Sequence, residues 1–376
     1  MKICLFILCL LGAMALPGLA QQPVSFERSI LLEATPDTTA NISCGDLDGD
    51  GHLDIVLVKG RHWPMIDRVL LGDGKGGIRK AYDLGTVADR SYTGGLADFN
   101  GDGSLDVAVS NDNPDRKLVY LNDGKGNFAV ASEFGLPDWP TRNLAVADIN
   151  RDGLPDLILA NRGDVGKTSN YICLNKGKGQ FDGNCIAFAP YPATTIYPAD
   201  INQDGFVDLV VPYRDSGQSY VYLGSSEMAY PDTRRVPFGP PNATIRMAAV
   251  ADFNGDGFAD IVTIDEFKGV NLYFGQRDRS FSAGIVLADA KAVPYALAIS
   301  DVNKDGKPDI LVGHVGSPST VFYNDGTGRN FKTVRFGDSD GTVYGFAVGD
   351  LNEDGVLDIA VARSGATDVL FFGSKR

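Results

Sequence analysis

The sequence predicts an all-β fold made of seven similar four-stranded units, and three observations lead to that prediction. A nine-residue acidic loop recurs seven times along the chain. Segments rich in β-branched and aromatic residues, which favour strands, flank the copies. The segment before the first copy resembles the strand that the last unit lacks. Self-similarity at a fixed spacing is the signature of a repeat architecture, not of several unrelated domains.

The acidic loop defines the repeat. It reads DFNGDGFAD at its fifth copy, and successive copies begin 52, 50, 52, 52, 49 and 49 residues apart. The copies occupy residues 46–54, 98–106, 148–156, 200–208, 252–260, 301–309 and 350–358. Because the copies run through the chain from residue 46 to residue 358, we predict a single domain over residues 21–376 with no linker, preceded by a signal peptide at residues 1–20.

The chemistry of the loop is that of a site for a hard cation. Calcium takes six to eight oxygen ligands, and loop positions 1, 3, 5 and 9 supply carboxylate or amide oxygens, with a backbone carbonyl at position 7. Position 6 is glycine in every copy, which suits a backbone conformation that other residues adopt at a cost. The predicted metal ligands are Asp46, Asp48, Asp50, His52, Asp54, Asp98, Asn100, Asp102, Ser104, Asp106, Asp148, Asn150, Asp152, Leu154, Asp156, Asp200, Asn202, Asp204, Phe206, Asp208, Asp252, Asn254, Asp256, Phe258, Asp260, Asp301, Asn303, Asp305, Lys307, Asp309, Asp350, Asn352, Asp354, Val356 and Asp358.

Two other interpretations of these loops are an EF-hand and a set of acidic turns that bind nothing. An EF-hand needs a glutamate at position 12, where all seven copies carry an aliphatic residue or threonine. Seven copies of one ligand pattern argue against chance, so we predict up to seven Ca²⁺ ions. Removal of the predicted signal peptide, which contains Lys2, would change the formal charge from −14 to −15. Seven bound Ca²⁺ ions would then bring it to −1.

Each unit is predicted to contain four short strands, with the acidic loop between the first two. Four-stranded units repeated around an axis form a β-propeller, whereas a solenoid would need polar capping units that neither end supplies. The last unit stops after its third strand, and residues 24–34 resemble a fourth. We therefore predict a seven-bladed β-propeller closed by the N-terminal strand completing the last blade, an arrangement that protects the sheet edge.

The loop pattern D-x-[DN]-x-D-G-x-x-D, the period near fifty residues and the YLN or YFG strands resemble the FG-GAP/VCBS repeats. These repeats form the seven-bladed propeller at the head of integrin α subunits and of many secreted microbial proteins. The resemblance covers residues 24–376 and implies calcium in the loop between the first two strands of a blade. It does not imply a ligand, because propellers carry unrelated functions.

The connections between strands are expected to divide between two faces of the ring. The acidic loops and the glycine turns share one face, so a ligand site is expected on the other, here called the second face. Aromatic and charged residues recur there six residues before and five residues after each loop, and Tyr and Arg are enriched in binding hot spots. Ordinary polarity at strand ends gives the same pattern. The candidate ligand-binding residues are Lys59, Tyr92, Arg142, Arg246, Tyr295, His314, Tyr344 and Arg363.

These residues favour a binding module for a glycan or an extracellular protein. Tyrosines stack on sugars and arginines pair with carboxylates, so we expect an acidic ligand. The segment RHWP adds Trp63 to the same face. A polysaccharide lyase is the alternative, with His314 as base, Tyr295 as acid and Arg363 as a carboxylate clamp. A structural or adhesion protein is a third hypothesis. The sequence does not decide whether the protein has any enzymatic activity.

The N-terminus predicts export. Residues 1–20 place Lys2 before an apolar run that ends in small residues, which is typical of a secretory signal peptide. We therefore expect a secreted or periplasmic protein with no transmembrane segment after cleavage. The acidic net charge argues against nucleic acid as a partner. Cys173 and Cys185 flank a predicted hairpin, and whether they form a disulfide stays open at this point.

Overall fold

The computed structural model describes residues 23–215 and 217–375, so the predicted signal peptide at 1–20 lies outside the described residues. Within those ranges the chain forms 28 strands and one 3₁₀ turn, Asp232–Arg234. No helix in the described part is long and apolar enough to cross a membrane. The prediction of an all-β fold built from repeated four-stranded units is confirmed.

The strands group into antiparallel units of four, and in units 1 to 6 the four strands are consecutive in the sequence. Unit 1 contains β2 (Asp37–Gly45), β3 (Asp54–Lys59), β4 (Met65–Gly72) and β5 (Ile78–Asp89). Unit 2 contains β6 (Ser91–Ala97), β7 (Asp106–Asn111), β8 (Lys117–Asn122) and β9 (Phe128–Phe134). Unit 3 contains β10 (Thr141–Ala147), β11 (Asp156–Asn161), β12 (Asn170–Cys173) and β13 (Ile186–Phe188).

Units 4 to 6 follow the same plan. Unit 4 contains β14 (Tyr197–Ala199), β15 (Asp208–Val211), β16 (Gly217–Tyr222) and β17 (Arg235–Ala243). Unit 5 contains β18 (Ile245–Ala251), β19 (Asp260–Asp265), β20 (Gly269–Tyr273) and β21 (Ile285–Ala288). Unit 6 contains β22 (Pro294–Ser300), β23 (Asp309–His314), β24 (Ser319–Asn324) and β25 (Phe331–Phe336).

Unit 7 combines both ends of the chain. It contains β26 (Thr342–Gly349), β27 (Asp358–Ala366) and β28 (Val369–Lys375), and β1 (Val24–Leu31) pairs antiparallel with β28. Val24 and Phe26 of β1 are buried in the cluster between units 6 and 7, and the Tyr323 hydroxyl donates a hydrogen bond to the Val24 carbonyl oxygen at 3.0 Å. A short pairing of β2 with β27 joins unit 7 to unit 1.

The hydrophobic core is divided among the contacts between units. In the described residues each hydrophobic cluster is shared by two consecutive units, from units 1 and 2 through to units 6 and 7, and one further cluster joins unit 7 to unit 1. The first strands of consecutive units also contact one another, including β26 with β2. Each unit therefore packs against a neighbour on both of its sheet faces.

This packing explains the strand sequences. The second strand of every unit begins with four or more consecutive buried residues, as in β3 and β19, because both faces of its sheet are covered. The outermost strands, such as β25, are mostly exposed or partly buried. In unit 3 a disulfide joins Cys173 to Cys185, with the Cα atoms 4.4 Å apart.

Candidate functional site

All seven acidic loops adopt one backbone conformation. The glycine at position 6 has a φ angle between 83° and 90° in every copy, a region that favours glycine. The aspartate at position 1 accepts a hydrogen bond from the N–H of that glycine at 2.7–3.1 Å in all seven loops. The aspartate at position 5 accepts one from the N–H of position 7 at 2.8–3.1 Å. Coordination by the position 7 carbonyl stays a prediction.

The aspartate at position 9 has a second role that the sequence pattern did not reveal. It is fully buried in every loop. One carboxylate oxygen accepts the N–H of loop position 2, and the other accepts an N–H at the end of the third strand, all at 2.7–3.0 Å. The aspartate at position 9 therefore links each acidic loop to the third strand of its unit through hydrogen bonds.

Burial raises the pKa of these position 9 carboxyl groups, because it disfavours their charged form. It raises the pKa of Asp54 to about 6 and that of Asp260 to about 7, although two N–H groups on each carboxyl oppose the shift. The negative charges of Asp48 and Asp50 raise the pKa of Asp54 further, and those of Asp256 and Asp252 do the same for Asp260. A divalent cation beside each of these carboxyl groups would favour its ionised form.

The donor set fits calcium most directly in the first loop. One oxygen each of Asp46, Asp48 and Asp50 lies within 4.8 Å of the others. In the other six loops position 3 is asparagine, whose amide nitrogen donates to the position 5 carboxylate at 2.8–3.2 Å. Loop 1 thus carries one more carboxylate than the others, and the Arg79 guanidinium forms ion pairs with Asp48 and Asp50.

On the second face, the residues six positions before the loops do converge. A cavity of about 40 Å³ is lined by this repeat position from five units: Ala40, Tyr92, Thr194, Arg246 and Tyr344. Tyr295, from a sixth unit, packs edge-on against Tyr344 with ring centroids 4.9 Å apart. The cavity is far smaller than the several hundred Å³ of an ordinary ligand pocket.

An arginine that the sequence analysis did not select joins this group. Unit 1 offers only Ala40 at the shared position, and Arg61 from its β3–β4 connection lies over the Tyr344 ring at 4.1 Å and the Tyr92 ring at 5.7 Å. His62 packs edge-on against both Trp63 and Tyr92. We call Arg61, His62, Trp63, Tyr92 and Tyr344 the mouth cluster. Trp63 is its most exposed apolar member, with 62% of its surface accessible.

The two arginines at the shared repeat position, Arg142 and Arg246, each form an ion pair within the protein. Arg142 lies over the Tyr92 ring at 4.6 Å and forms an ion pair with Asp112. Arg246 stacks on the Tyr295 ring at 3.4 Å and forms an ion pair with Glu266 at 3.0 Å. Both arginines that were expected to pair with an acidic ligand are therefore already paired with carboxylates of the protein.

Two further predicted residues also have partners within the protein. Lys59 is 2% exposed and forms ion pairs with Glu33 and Asp37. Arg363 is 6% exposed, donates to the Thr367 carbonyl at 2.6 Å and pairs with Asp338 at 2.7 Å.

His314 lies elsewhere, in a cleft of about 310 Å³ between units 5 and 6. The grouping of His314, Tyr295 and Arg363 expected for a lyase is thus divided among different sets of partners.

No curated protein matches the sequence. Among solved structures, the chain is similar to an Agrocybe aegerita lectin described as recognising non-reducing terminal N-acetylglucosamine, at 19% identity and a TM-score of 0.56, covering 88% of this chain and 87% of the lectin. It is also similar to the BP39L lectin of Burkholderia pseudomallei, at 12% identity, a TM-score of 0.62 and coverage of 90% and 99%. A third similar structure is BBS1N in complex with ARL6DN, at 12% identity, a TM-score of 0.61 and coverage of 93% and 96%.

These identities support the fold alone, whereas the repeats identify a family. The FG-GAP-like repeat matches six overlapping segments, residues 46–109, 98–159, 148–211, 200–263, 252–312 and 301–361. The six segments begin at the first aspartates of loops 1 to 6, and the last of them includes loop 7. The matches cover most of the chain, and the protein belongs to the FG-GAP-like repeat family.

Proposed function

We propose that the protein is an exported, calcium-stabilised, closed seven-bladed propeller that binds a glycan or an extracellular protein through its second face. The closed ring is supported by the hydrophobic cluster and strand pairing that join unit 7 to unit 1. Export is supported by the leader-like N-terminal sequence and is consistent with the Cys173–Cys185 disulfide.

Calcium binding is supported by the uniform loop geometry and by the charge of the loops. Positions 1, 3, 5 and 9 would hold the ion through side-chain oxygens, with the position 7 carbonyl as a further ligand. A bound ion would offset the repulsion among carboxylates that lie within one turn. The protein's own contribution is the hydrogen-bonded framework that orients those oxygens.

The mouth cluster is the observation that carries the binding proposal. It places an exposed indole, an imidazole, two phenol rings and a guanidinium side by side on the face opposite the acidic loops. Trp, Tyr and Arg dominate the energetics of protein interfaces, and a flat indole surface offers a platform for the C–H face of a sugar. Similarity to two lectin structures favours a glycan as the ligand.

A glycan array on the purified protein, followed by titration of the best ligand, tests this function. Trp63→Ala should weaken binding at least about tenfold, because one interface hot spot contributes that much or more. Phe267→Ala is the matched control, since Phe267 is 77% exposed on the β19–β20 connection, the counterpart of the connection that carries Trp63.

Equal loss of affinity in both variants, or in neither, would place the ligand away from the mouth cluster. Formation of unsaturated sugar products, measured by absorbance in a parallel assay, would instead support the lyase alternative.

A further inference from the structure

One opening among the described residues lies apart from the mouth cluster. It is the cleft of about 310 Å³ between units 5 and 6, which we call the 5/6 cleft. Its volume lies at the lower end of the range for small-molecule sites, and it is several times the volume of the axial cavity. It opens beside the connection between β21 and β22, whose residues 289, 291 and 292 form part of its lining.

The walls of the 5/6 cleft differ in polarity. Unit 5 and the following connection supply apolar side chains, Leu287, Ala288 and Ala292. Unit 6 supplies a mainly polar surface from two paired strands, in which Thr320 lies opposite Arg335 and Phe322 lies opposite Thr333. Residues directly opposite each other in antiparallel strands have side chains on the same side of the sheet. A ligand in this cleft meets hydrocarbon on one side and hydroxyl and guanidinium groups on the other.

His314 at the end of β23 adds a hydrogen-bond acceptor to the polar wall. Its Nδ1 atom lies 2.9 Å from the Pro318 carbonyl oxygen, so Nδ1 carries the proton and donates to that oxygen. Burial, followed by the nearby charge of Arg335, lowers the pKa of His314. This shift favours the neutral ring, whose Nε2 atom is an acceptor for the hydrogen bond of a sugar hydroxyl.

Arg335 provides the charge that selects the ligand. Asp289 and Lys291, also in the lining, neutralise each other in an exposed ion pair at 3.1 Å. Arg335 lies on the exposed strand β25 and forms no ion pair with another residue of the described chain. A guanidinium group of this kind recognises a carboxylate through two parallel hydrogen bonds.

We propose that the 5/6 cleft is a second binding site, for a sugar that carries a carboxylate, such as a terminal hexuronic acid. The carboxylate pairs with Arg335, a ring hydroxyl donates to His314 Nε2, and the C–H face of the ring lies against Leu287 and Ala292. This inference extends the proposed glycan-binding function to a separate site.

Titration calorimetry of the calcium-loaded protein with glucuronic acid, and with glucose as the uncharged counterpart, tests the proposal. Wild type should bind glucuronic acid at least about tenfold more tightly than glucose, because a charge-assisted pair is gained. Arg335→Ala should remove that preference. Lys332→Ala is the matched control, since it removes the same charge from an exposed position of the same strand outside the cleft, and it should bind as wild type does.

A second variant tests the location without altering charge. Ala292→Phe narrows the cleft and should weaken glucuronic acid binding by a similar factor. No detectable binding to wild type, or equal losses in Arg335→Ala and Lys332→Ala, would overturn the proposal. Trp63→Ala should leave glucuronic acid binding unchanged. Loss of binding in Trp63→Ala would move the ligand to the mouth cluster, so the cleft proposal would fail while the general binding function would stand.

Discussion

The two faces of the molecule solve the same backbone problem with different residues. On the loop face, an aspartate at position 9 accepts the N–H at the end of the third strand in every unit. On the second face, the N–H near the end of the second strand is accepted by Asp67, Asn170, Ser219 and Asp368 in units 1, 3, 4 and 7. A hydroxyl, an amide or a carboxylate serves equally well there.

This difference indicates what each face must do. A single backbone N–H requires only an acceptor, so the second face uses whichever polar side chain reaches it. The loop face uses a buried carboxylate each time, although burial of a charge is unfavourable. Position 9 has two N–H groups to accept, one on each carboxylate oxygen, and a calcium ion would use the same negative charge. The variable face is then the one that is free to acquire a ligand.

The largest change would come from removing the strand that joins the chain ends. Deletion of residues 21–34 exposes the edge of β28 and removes Val24 and Phe26 from the cluster between units 6 and 7. We expect aggregation or loss of cooperative unfolding, because an unpaired strand edge templates association. Light scattering and thermal unfolding measure this outcome. A monomeric truncated protein of unchanged stability would contradict the closed ring.

Removal of calcium should have the next largest effect and should involve the loop face alone. Each ion that binds only the folded protein stabilises it by about 2.7 kcal/mol at a hundredfold excess over its dissociation constant. Chelation should therefore lower the melting temperature markedly. Asp252→Ala should lower it less, because six loops keep their ligands. A melting curve that responds neither to chelator nor to added calcium would contradict the metal sites.

The structural role of position 9 can be separated from metal binding by working in chelator. Asp260→Ala leaves the N–H groups of Phe253 and Gly275 buried without their acceptors. We expect a loss of about 3 kcal/mol in the free energy of unfolding, measured with denaturant, since each unpaired group costs about 1–3 kcal/mol. Asp256→Ala, at an exposed position of the same loop, should cost less than about 1 kcal/mol. Similar losses in both variants would argue against the position 9 role.

The smallest expected effect concerns a carboxyl of the second face. Burial raises the pKa of Asp67 to about 7, with the charge of Asp89 adding to it and Lys59 opposing it. A raised folded-state pKa favours the protonated group, so this stabilising contribution is complete below about pH 4 and is lost as the pH rises through 7.

Asp67→Asn stays neutral and should keep the bond to the Lys59 N–H. The free energy of unfolding of wild type relative to this variant should therefore fall by about 1–3 kcal/mol between pH 4 and pH 7. A flat difference profile for Asp67→Asn would contradict the shifted pKa.

Sequence reasoning succeeded where the chemistry is local. The ligand pattern, the position 6 glycine and the turn that it permits all lie within nine residues, so their repetition identified the loops and the units. It succeeded less well on the second face. Lys59 and Arg363 hold equivalent repeat positions, yet one pairs with Glu33 from the N-terminal segment and the other with Asp338. Partners distant in sequence cannot be inferred from the repeat.

The place that Arg61 occupies could have been predicted from one feature of the sequence. Among the residues six positions before the loops, unit 1 has alanine where other units have larger side chains. A small residue in a ring of large ones leaves space for a side chain from a neighbouring connection. The arginine that follows β3 occupies that space between two tyrosines.

The sequence by itself determined the all-β class, the seven acidic loops, their spacing and the FG-GAP-like identity, because these depend on hydrogen bonds and turns formed within one unit. The tertiary structure alone decided which second-face side chains meet, which cations are neutralised, and that His314 lies in a cleft between units 5 and 6. The physical reason is the distance along the chain over which each kind of interaction forms. Backbone turns are satisfied over a few residues, whereas long charged and aromatic side chains find partners in whichever unit packs beside them.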